Sequence, residues 1–267
     1  KLECDKSGNG YAVIRFLPAP EGEDLPFVKL YSHAFQGPGG WYIENSLTTL
    51  GQKDPVSELN STLWNNGTDA GKELARKQKR KLTYVANIYV VKDPANPANE
   101  GKVFLYKFGK KIFDKLTAAM QPEFEDEEAI DPFDFWQGAN FKLKIKKVAG
   151  YWNYDDSVFT APGTLGNYDD ERLEEVYNSM HDLASFTSDD QFKSYDELDS
   201  RLKAVLGRRA PSIDHEVADE ESEILNLDIP SSRSTTPSSW TESVDTSSSV
   251  TDEDDALSYF AKLAEED

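Results

Sequence analysis

The residues from Leu82 to Val91 read Leu-Thr-Tyr-Val-Ala-Asn-Ile-Tyr-Val-Val, a β-rich run stopped by Asp93-Pro94. Branched and aromatic side chains in such density fit a pleated strand, and Asp-Pro is turn chemistry that closes it. Shorter runs of the same kind recur. They are Tyr11 to Leu17 ahead of Pro18, Phe27 to His33, Trp41 to Ile43 after a Gly37-Pro38-Gly39-Gly40 turn, Lys102 to Phe108, and Phe141 to Val148. Helical spacing is confined to 110–120, 169–183 and 195–206. Several short strands with helical excursions predict a mainly β fold with α additions, a small barrel carrying insertions. No internal repeat is visible.

The 267 residues hold 49 acids and 29 bases, a formal net charge of −20. At face value that argues against a nucleic-acid partner, which calls for a basic surface. The charge is unevenly spread, however. Residues 214–267 contain 16 acids and two bases (Arg233 and Lys262), a net of −14, which leaves −6 for residues 1–213. Thirteen of the 20 residues from 231 to 250 are Ser or Thr. A stretch like this cannot bury enough apolar surface to offset its ordering entropy, so 214–267 is expected to be a disordered acidic tail. At its end, Asp252-Glu253-Asp254-Asp255 precedes Leu257, Phe260 and Leu263, which share one helical face. That end is either a solvated solubility tail or a short recognition helix for a basic, apolar groove on a partner protein.

Positive charge gathers in the opposite sense between residues 72 and 111. Eleven bases meet only three acids there, Glu73, Asp93 and Glu100, for a local charge of +8. The cluster includes Lys79, Arg80, Lys81, Lys107, Lys110 and Lys111. Such segregation is either an ordinary solvated surface or the footprint of a polyanionic partner. Phe141-Lys142-Leu143-Lys144-Ile145-Lys146 alternates strictly, so one strand face is apolar and the other carries Lys142, Lys144 and Lys146 about 7 Å apart. That repeat matches a phosphate track. Aromatics are interleaved with the bases: Tyr84, Tyr89, Tyr106, Tyr151, Trp152 and Tyr154. Cations for phosphates and ring faces for unpaired bases are what a single-stranded nucleic-acid groove requires.

Other chemistries find less support. His33, His181 and His215 are far apart, and neither a nucleophile elbow nor a phosphate loop is present. The acids at 123–134 form a continuous run without ligand spacing and read as an exposed loop. One cysteine, Cys4, excludes an internal disulfide framework and a multi-cysteine zinc site. No run approaches the roughly 18 apolar residues needed to cross a bilayer, so no membrane partner is expected.

Several long motifs resemble the single-stranded-DNA-binding (helix-destabilising) proteins of T-even-type bacteriophages. They are Gly8-Asn9-Gly10 with Ala12 to Pro18, Gly40-Trp41-Tyr42-Ile43-Glu44, Ala86-Asn87-Ile88 with Val90 to Pro94, Asn99 to Phe104 with Tyr106 and Phe108 to Ile112, and Gly138-Ala139-Asn140-Phe141. The resemblance continues through Asn153-Tyr154-Asp155 to Phe192-Lys193-Ser194. It implies an OB-fold barrel with an inserted lobe at about 45–80, flanking helices and no enzymatic activity. It also implies sequence-independent binding of single-stranded DNA in replication, recombination and repair, in the cytoplasm of an infected bacterial host. Tyr84, Tyr106, Tyr151 and Tyr154 match aromatic positions of the groove, and Lys79-Arg80-Lys81 with Lys107, Lys110 and Lys111 match basic ones. By resemblance, the acidic tail recruits replication and recombination proteins and tunes DNA affinity. The competing possibility is an acidic scaffold or nucleic-acid mimic that organises replication enzymes without binding DNA.

Three departures from the family pattern carry expectations of their own. The family's structural zinc is held by a His and three Cys. Here His33 is retained, but Ser46, Val56 and Leu59 stand at the Cys positions. No zinc or other cofactor is therefore expected, and Val56, Leu59, Leu63 and Trp64 are expected to pack a small apolar core in its place. Val85 and Ala75 stand where the family's lobe carries rings, which should weaken stacking there. The family's basic N-terminal arm, which links neighbours along the strand, has no counterpart before Lys1. Little cooperativity is expected of this chain, with self-association along DNA reserved to the full-length protein.

Overall fold

In the computed structural model, which describes residues 2–124 and 126–207, the long β-rich run is the strand around which the sheet is built. In chain order the strands are β1 (Gly10–Phe16), β2 (Phe27–Gly37), β3 (Gly40–Asn45), β4 (Lys81–Lys92), β5 (Val103–Phe108), β6 (Phe141–Val148), β7 (Tyr151–Asn153) and β8 (Val158–Phe159). All their pairings are antiparallel. β4 pairs with β1 along Ile88–Lys92 and with β2 along Lys81–Ala86. Its other edge takes β5 along Tyr84–Tyr89. β1 continues the sheet to β6, which is flanked by β7 and β8. The chain is mainly β with α additions.

Register decides which residues meet. Ile14 lies opposite Val90 and Phe141, Phe16 opposite Ile88, and Tyr84 opposite Phe108, so these side chains share one face of the sheet. A helix, α3 (Lys110–Met120), covers part of that face. Its Ile112, Phe113, Leu116 and Met120 recur at helical spacing and are all buried against the sheet. Each fully buried ring or branched side chain contributes about 1.5–3 kcal/mol. The opposite face of β4 packs Val85 on Leu183 and Tyr89 on Leu165 and on α4 (Asp170–Asn178). α4 stops short of the expected residue 183 for a specific reason. The Asn87 side chain accepts the His181 N–H at 2.9 Å and donates to its carbonyl at 2.8 Å, which holds the chain in a turn.

The expected lobe at 45–80 contains two helices that hydrophobic periodicity missed, α1 (Pro55–Asn65) and α2 (Asp69–Lys77). Asp54 caps the first, with proline just inside, and Thr68 caps the second. The lobe's core differs from the expectation. Val56 and Leu59 do pack inward, against Phe35, Tyr42, Leu47 and the face Leu198–Leu202–Val205 of α5 (Tyr195–Val205). Leu63 lies outside that cluster, and Trp64 is exposed at the end of α1. The inward positions Val56 and Leu59 are met by α5, from much further along the chain, while Trp64 meets Lys72 and Arg76 of α2 at the surface. The Gly37–Gly40 turn seats on the last residues of α5, where the Gly39 N–H donates to the Val205 carbonyl at 2.8 Å. A Cβ on Gly39 would sit 2.1 Å from the Ala204 carbonyl oxygen, so the approach requires glycine.

The core boundary at 213, the 214–267 tail and its candidate partner-binding residues all lie outside the described residues. No described helix is long and apolar enough to cross a membrane.

Candidate nucleic-acid interface

A cleft of about 470 Å³ opens where the sheet face is not covered by α3. Its floor is Ala12 and Ile14 of β1 with Ile88 and Val90 of β4. One wall is β5, with Phe104, Leu105, Tyr106 and Lys107. The other is Leu143 and Ile145 of β6 with Trp152 and Tyr154, and Leu2 and Cys4 cross one end. Rings thus face each other across an apolar floor.

The rings are held by a ladder of aromatic contacts. Phe113 stacks on Tyr84 at 4.1 Å between centroids, Tyr84 on Phe108 at 5.6 Å, and Phe108 on Tyr106 at 5.5 Å, all within 20° of parallel. The last ring, Tyr106, is at the cleft. Burial and then the neighbouring Tyr154 push its hydroxyl's pKa well above the ordinary tyrosine value. Burial, then Cys4, does the same for Tyr154. Both are neutral phenols at any physiological pH, which favours contact with nucleobases and avoids repelling phosphates.

Tyr84, expected at the groove, is a core residue. It is 0 % exposed, sealed between Phe27, Phe108 and Phe113. The α3 helix, placed by a contact distant from the strand's own pattern, turns this position into core. Tyr106, Lys107 and Tyr154 are brought together at the cleft as expected. Tyr151 is 79 % exposed but projects from the other face of β7, away from the cleft that Trp152 lines. Tyr89 turns from the cleft altogether, its hydroxyl 3.0 Å from that of Tyr168.

The lysine-faced strand is placed with the opposite sense to a cleft lining. Leu143 and Ile145 line the cleft, so alternation sets Lys142, Lys144 and Lys146 on the outer face of β6. Lys146 is paired there with Asp156 at 2.6 Å. The next odd-numbered residue, Lys147, shares the cleft side and lies 5.7 Å from the Trp152 ring centroid. Lys110 and Lys111 are exposed at the start of α3, paired with Asp114 at 3.1 Å and Asp155 at 3.4 Å. Exposed pairs of this kind contribute little and leave the cations available to a polyanion. Lys79, Arg80 and Lys81 are exposed where the lobe joins β4, outside the cleft lining, and Arg80 stacks on Tyr31 at 4.0 Å.

Arg15, a basic residue on β1, is not an interface residue. It is 1 % exposed, and its guanidinium donates to the carbonyls of Asp134 and Phe135 at 3.1 and 3.3 Å and to that of Gly163. Burial lowers its pKa to about 10, against the pull of Asp134 and Asp131. A Cβ on Gly138 would meet the Asp134 carbonyl oxygen at 2.3 Å and Arg15 Nη2 at 3.2 Å, so glycine is needed beside this anchor.

In the lobe, His33 is fully buried beside Asp54 and Ser46. His33 Nδ1 donates to the Gln78 carbonyl at 3.0 Å, and Nε2 lies 3.2 Å from Asp54 Oδ1, close but off the line of a hydrogen bond. Asp54 Oδ2 accepts from Ser46 Oγ at 2.9 Å and from the Leu47 N–H at 3.2 Å, while Oδ1 accepts from the Ser57 N–H at 2.9 Å. Burial raises the Asp54 pKa, but His33, the Ser57 N–H and Ser46 outweigh it and hold it at about 2. One carboxylate therefore ties β2, the β3–α1 connection and the start of α1 together.

The family model described as "gp32 DNA binding protein like" matches residues 8–206. The chain belongs to this family. It is 47% identical over 214 residues to the single-stranded DNA-binding protein of Enterobacteria phage T2, covering 79% of this chain and 70% of that one. It is 47% identical over 211 residues to the single-stranded DNA-binding protein of Enterobacteria phage T4, covering 78% and 69%. The gp32-like match runs from just before β1 to the last turns of α5, so cleft and lobe both fall inside it.

Within this gp32-like fold, sequence reasoning missed Phe104 and Leu105 at the cleft, Lys147 over the Trp152 ring and Asp54 in the lobe. Phe104 and Tyr106 alternate on β5, and period-2 reasoning applied to that strand would have found the pair. Asp54-Pro55 is a legible helix start, and the cap residue proved to be the buried carboxylate.

Proposed function

We propose that this chain binds single-stranded DNA in the β5–β6 cleft without sequence preference. The observation that supports this most is the cleft lining: Phe104, Tyr106, Trp152 and Tyr154 offer rings over an aliphatic floor, with Lys107 and Lys147 beside them. Ring faces stack on any unpaired base for ~1–3 kcal/mol each, and the cations neutralise phosphates. The one carboxylate in the lining, Asp93, is engaged by the Asn96 N–H and the Asn99 amide. Family membership and relatives named as single-stranded DNA-binding proteins agree with this reading. The role is a non-catalytic one in phage DNA replication, recombination and repair, in the cytoplasm of the infected host.

The test is a titration with oligo-dT across salt concentrations. Log affinity should fall linearly with log salt, by roughly 0.7 per phosphate contacted. Absence of affinity at low salt would leave the acidic-scaffold function standing in its place.

Two finer parts belong to the same proposal. The segment 214–267, at a net −14, competes with DNA for the basic surface. Its end, with Asp252, Glu253, Asp254 and Asp255 before Leu257, Phe260 and Leu263, docks on replication and recombination proteins once DNA displaces it. The lobe does without zinc: Val56 and Leu59 are apolar, Ser46 and Asp54 are bonded to each other, and His33 Nδ1 is committed to a carbonyl. That donor set does not suit a tetrahedral zinc site. Metal analysis of the purified protein should find no zinc, and one zinc per chain would refute this part.

A further inference from the structure

The lobe carries a second set of cations stacked on rings, apart from the cleft. Trp64, near the end of α1, is 48 % exposed and takes no part in the lobe's core. The Arg76 guanidinium lies 5.5 Å and the Lys72 ammonium 6.0 Å from its ring centroid. Lys72 and Arg76 are one turn apart on α2, about 6 Å along its axis. Four residues further on, Arg80 covers Tyr31 at 4.0 Å. Tyr31 is opposite Leu82 on β4, two residues from Tyr84, and so on the sheet face that continues into the cleft floor.

Among the described residues no carboxylate forms an ion pair with Lys72, Arg76 or Arg80, and the nearby Glu73 is taken by Lys77 at 2.8 Å. Three cations outside any ion pair, of which only Arg76 feels a nearby carboxylate, Glu73, are held on rings that the core does not use and are complementary to a strand of alternating phosphates and unstacked bases. A guanidinium lying on a ring keeps its outer face for a base and its edge N–H groups for phosphate oxygens. Ala75 and Val85 are buried and bring no ring to this surface, so Trp64 is its aromatic element on the helices.

We propose that Trp64, Lys72 and Arg76, continuing through Arg80 on Tyr31, form a second single-strand contact that takes the DNA where it leaves the cleft. This rests on the cleft's being the primary site, and the experiment separates the two. A dye-labelled oligo-dT long enough to reach the lobe is titrated by anisotropy, across salt, into the full chain and its Trp64→Leu, Arg76→Gln and Tyr106→Leu variants. Trp64→Leu should weaken binding about fivefold or more with an unchanged melting temperature. Arg76→Gln should reduce the salt slope by about 0.7. Wild-type affinity in Trp64→Leu, with Tyr106→Leu still weakened, overturns the lobe contact and leaves the cleft intact. Tighter binding by Trp64→Leu overturns it too, since the ring would then be holding the acidic 214–267 segment. Should Trp64→Leu melt early, the Arg76→Gln slope decides alone. Failure of the wild-type chain to bind oligo-dT removes both sites.

Discussion

The cleft and the lobe are organised by different physics. The cleft follows from strand register: antiparallel pairing puts Ile14, Ile88, Tyr106 and Leu143 on one face, and the site is the part of that face left uncovered. The lobe depends on a single buried carboxylate and on a helix from the other end of the domain. A repeating pattern distributes the work over many residues, so no single change should abolish it. A knot concentrates it. The two regions should therefore respond very differently to point substitution.

The largest effect expected is in the lobe. Asp54→Ala removes one partner of a buried pair together with the cap of α1, and should cost about 3–5 kcal/mol, measured by urea or thermal unfolding. Loss below about 1 kcal/mol would show that the knot is not holding the lobe. The pH dependence follows from the same group. A carboxylate depressed to about 2 from an ordinary 3.8 contributes stability in full above pH 4 and loses it as the pH falls towards 2. Asp54→Asn should flatten the melting profile over that window, and an unaltered profile would contradict the assignment.

Substitution at Tyr84 sharpens the comparison inside the sheet. Tyr84→Ala should cost about 3–5 kcal/mol of stability through the cavity it leaves between Phe27, Phe108 and Phe113. Tyr84→Phe should leave oligo-dT affinity unchanged, because the ring never reaches the cleft. A loss of affinity in Tyr84→Phe at wild-type stability would return this residue to the interface.

A smaller effect distinguishes the two faces of β6. Lys147→Gln should lower the salt slope of oligo-dT binding by about 0.7, while Lys144→Gln should lower it less. The reverse ranking would place the strand on the outer lysine track. Smaller still, and sensitive to salt, is the expected gain on deleting 214–267, whose acidic charge acts only when screening is weak. Equal affinities with and without it at low salt would remove the competing role.

These contrasts also mark what could be read from the sequence. β1 to β6 and α3 were legible because β-rich runs or helical spacing mark them, whereas β7 and β8, three and two residues long, are too short to carry a pattern. Tyr106, Lys107 and Tyr154 were legible for the same reason, rings and bases adjacent on strands. On β6 the charge pattern drew attention to Lys142, Lys144 and Lys146, whereas Leu143 and Ile145 line the cleft and their lysine neighbours lie on the opposite face of the strand. Tyr84 could not be placed without knowing that α3 folds back over β4. The lobe's core could not be assembled from its own residues, because Val56 and Leu59 pack on α5, roughly 140 residues further along the chain, and no local pattern reports such a contact.

Hydrogen–deuterium exchange with and without saturating oligo-dT tests the central claim most directly. Protection should appear along β5, Val103–Phe108, and at Tyr151–Asn153, the two walls of the cleft, with none at the buried Arg15 anchor around 131–138. Protection confined to the outer surface of β6 and the 155–160 segment, with β5 exchanging as in the free chain, would contradict the cleft as the site of the strand.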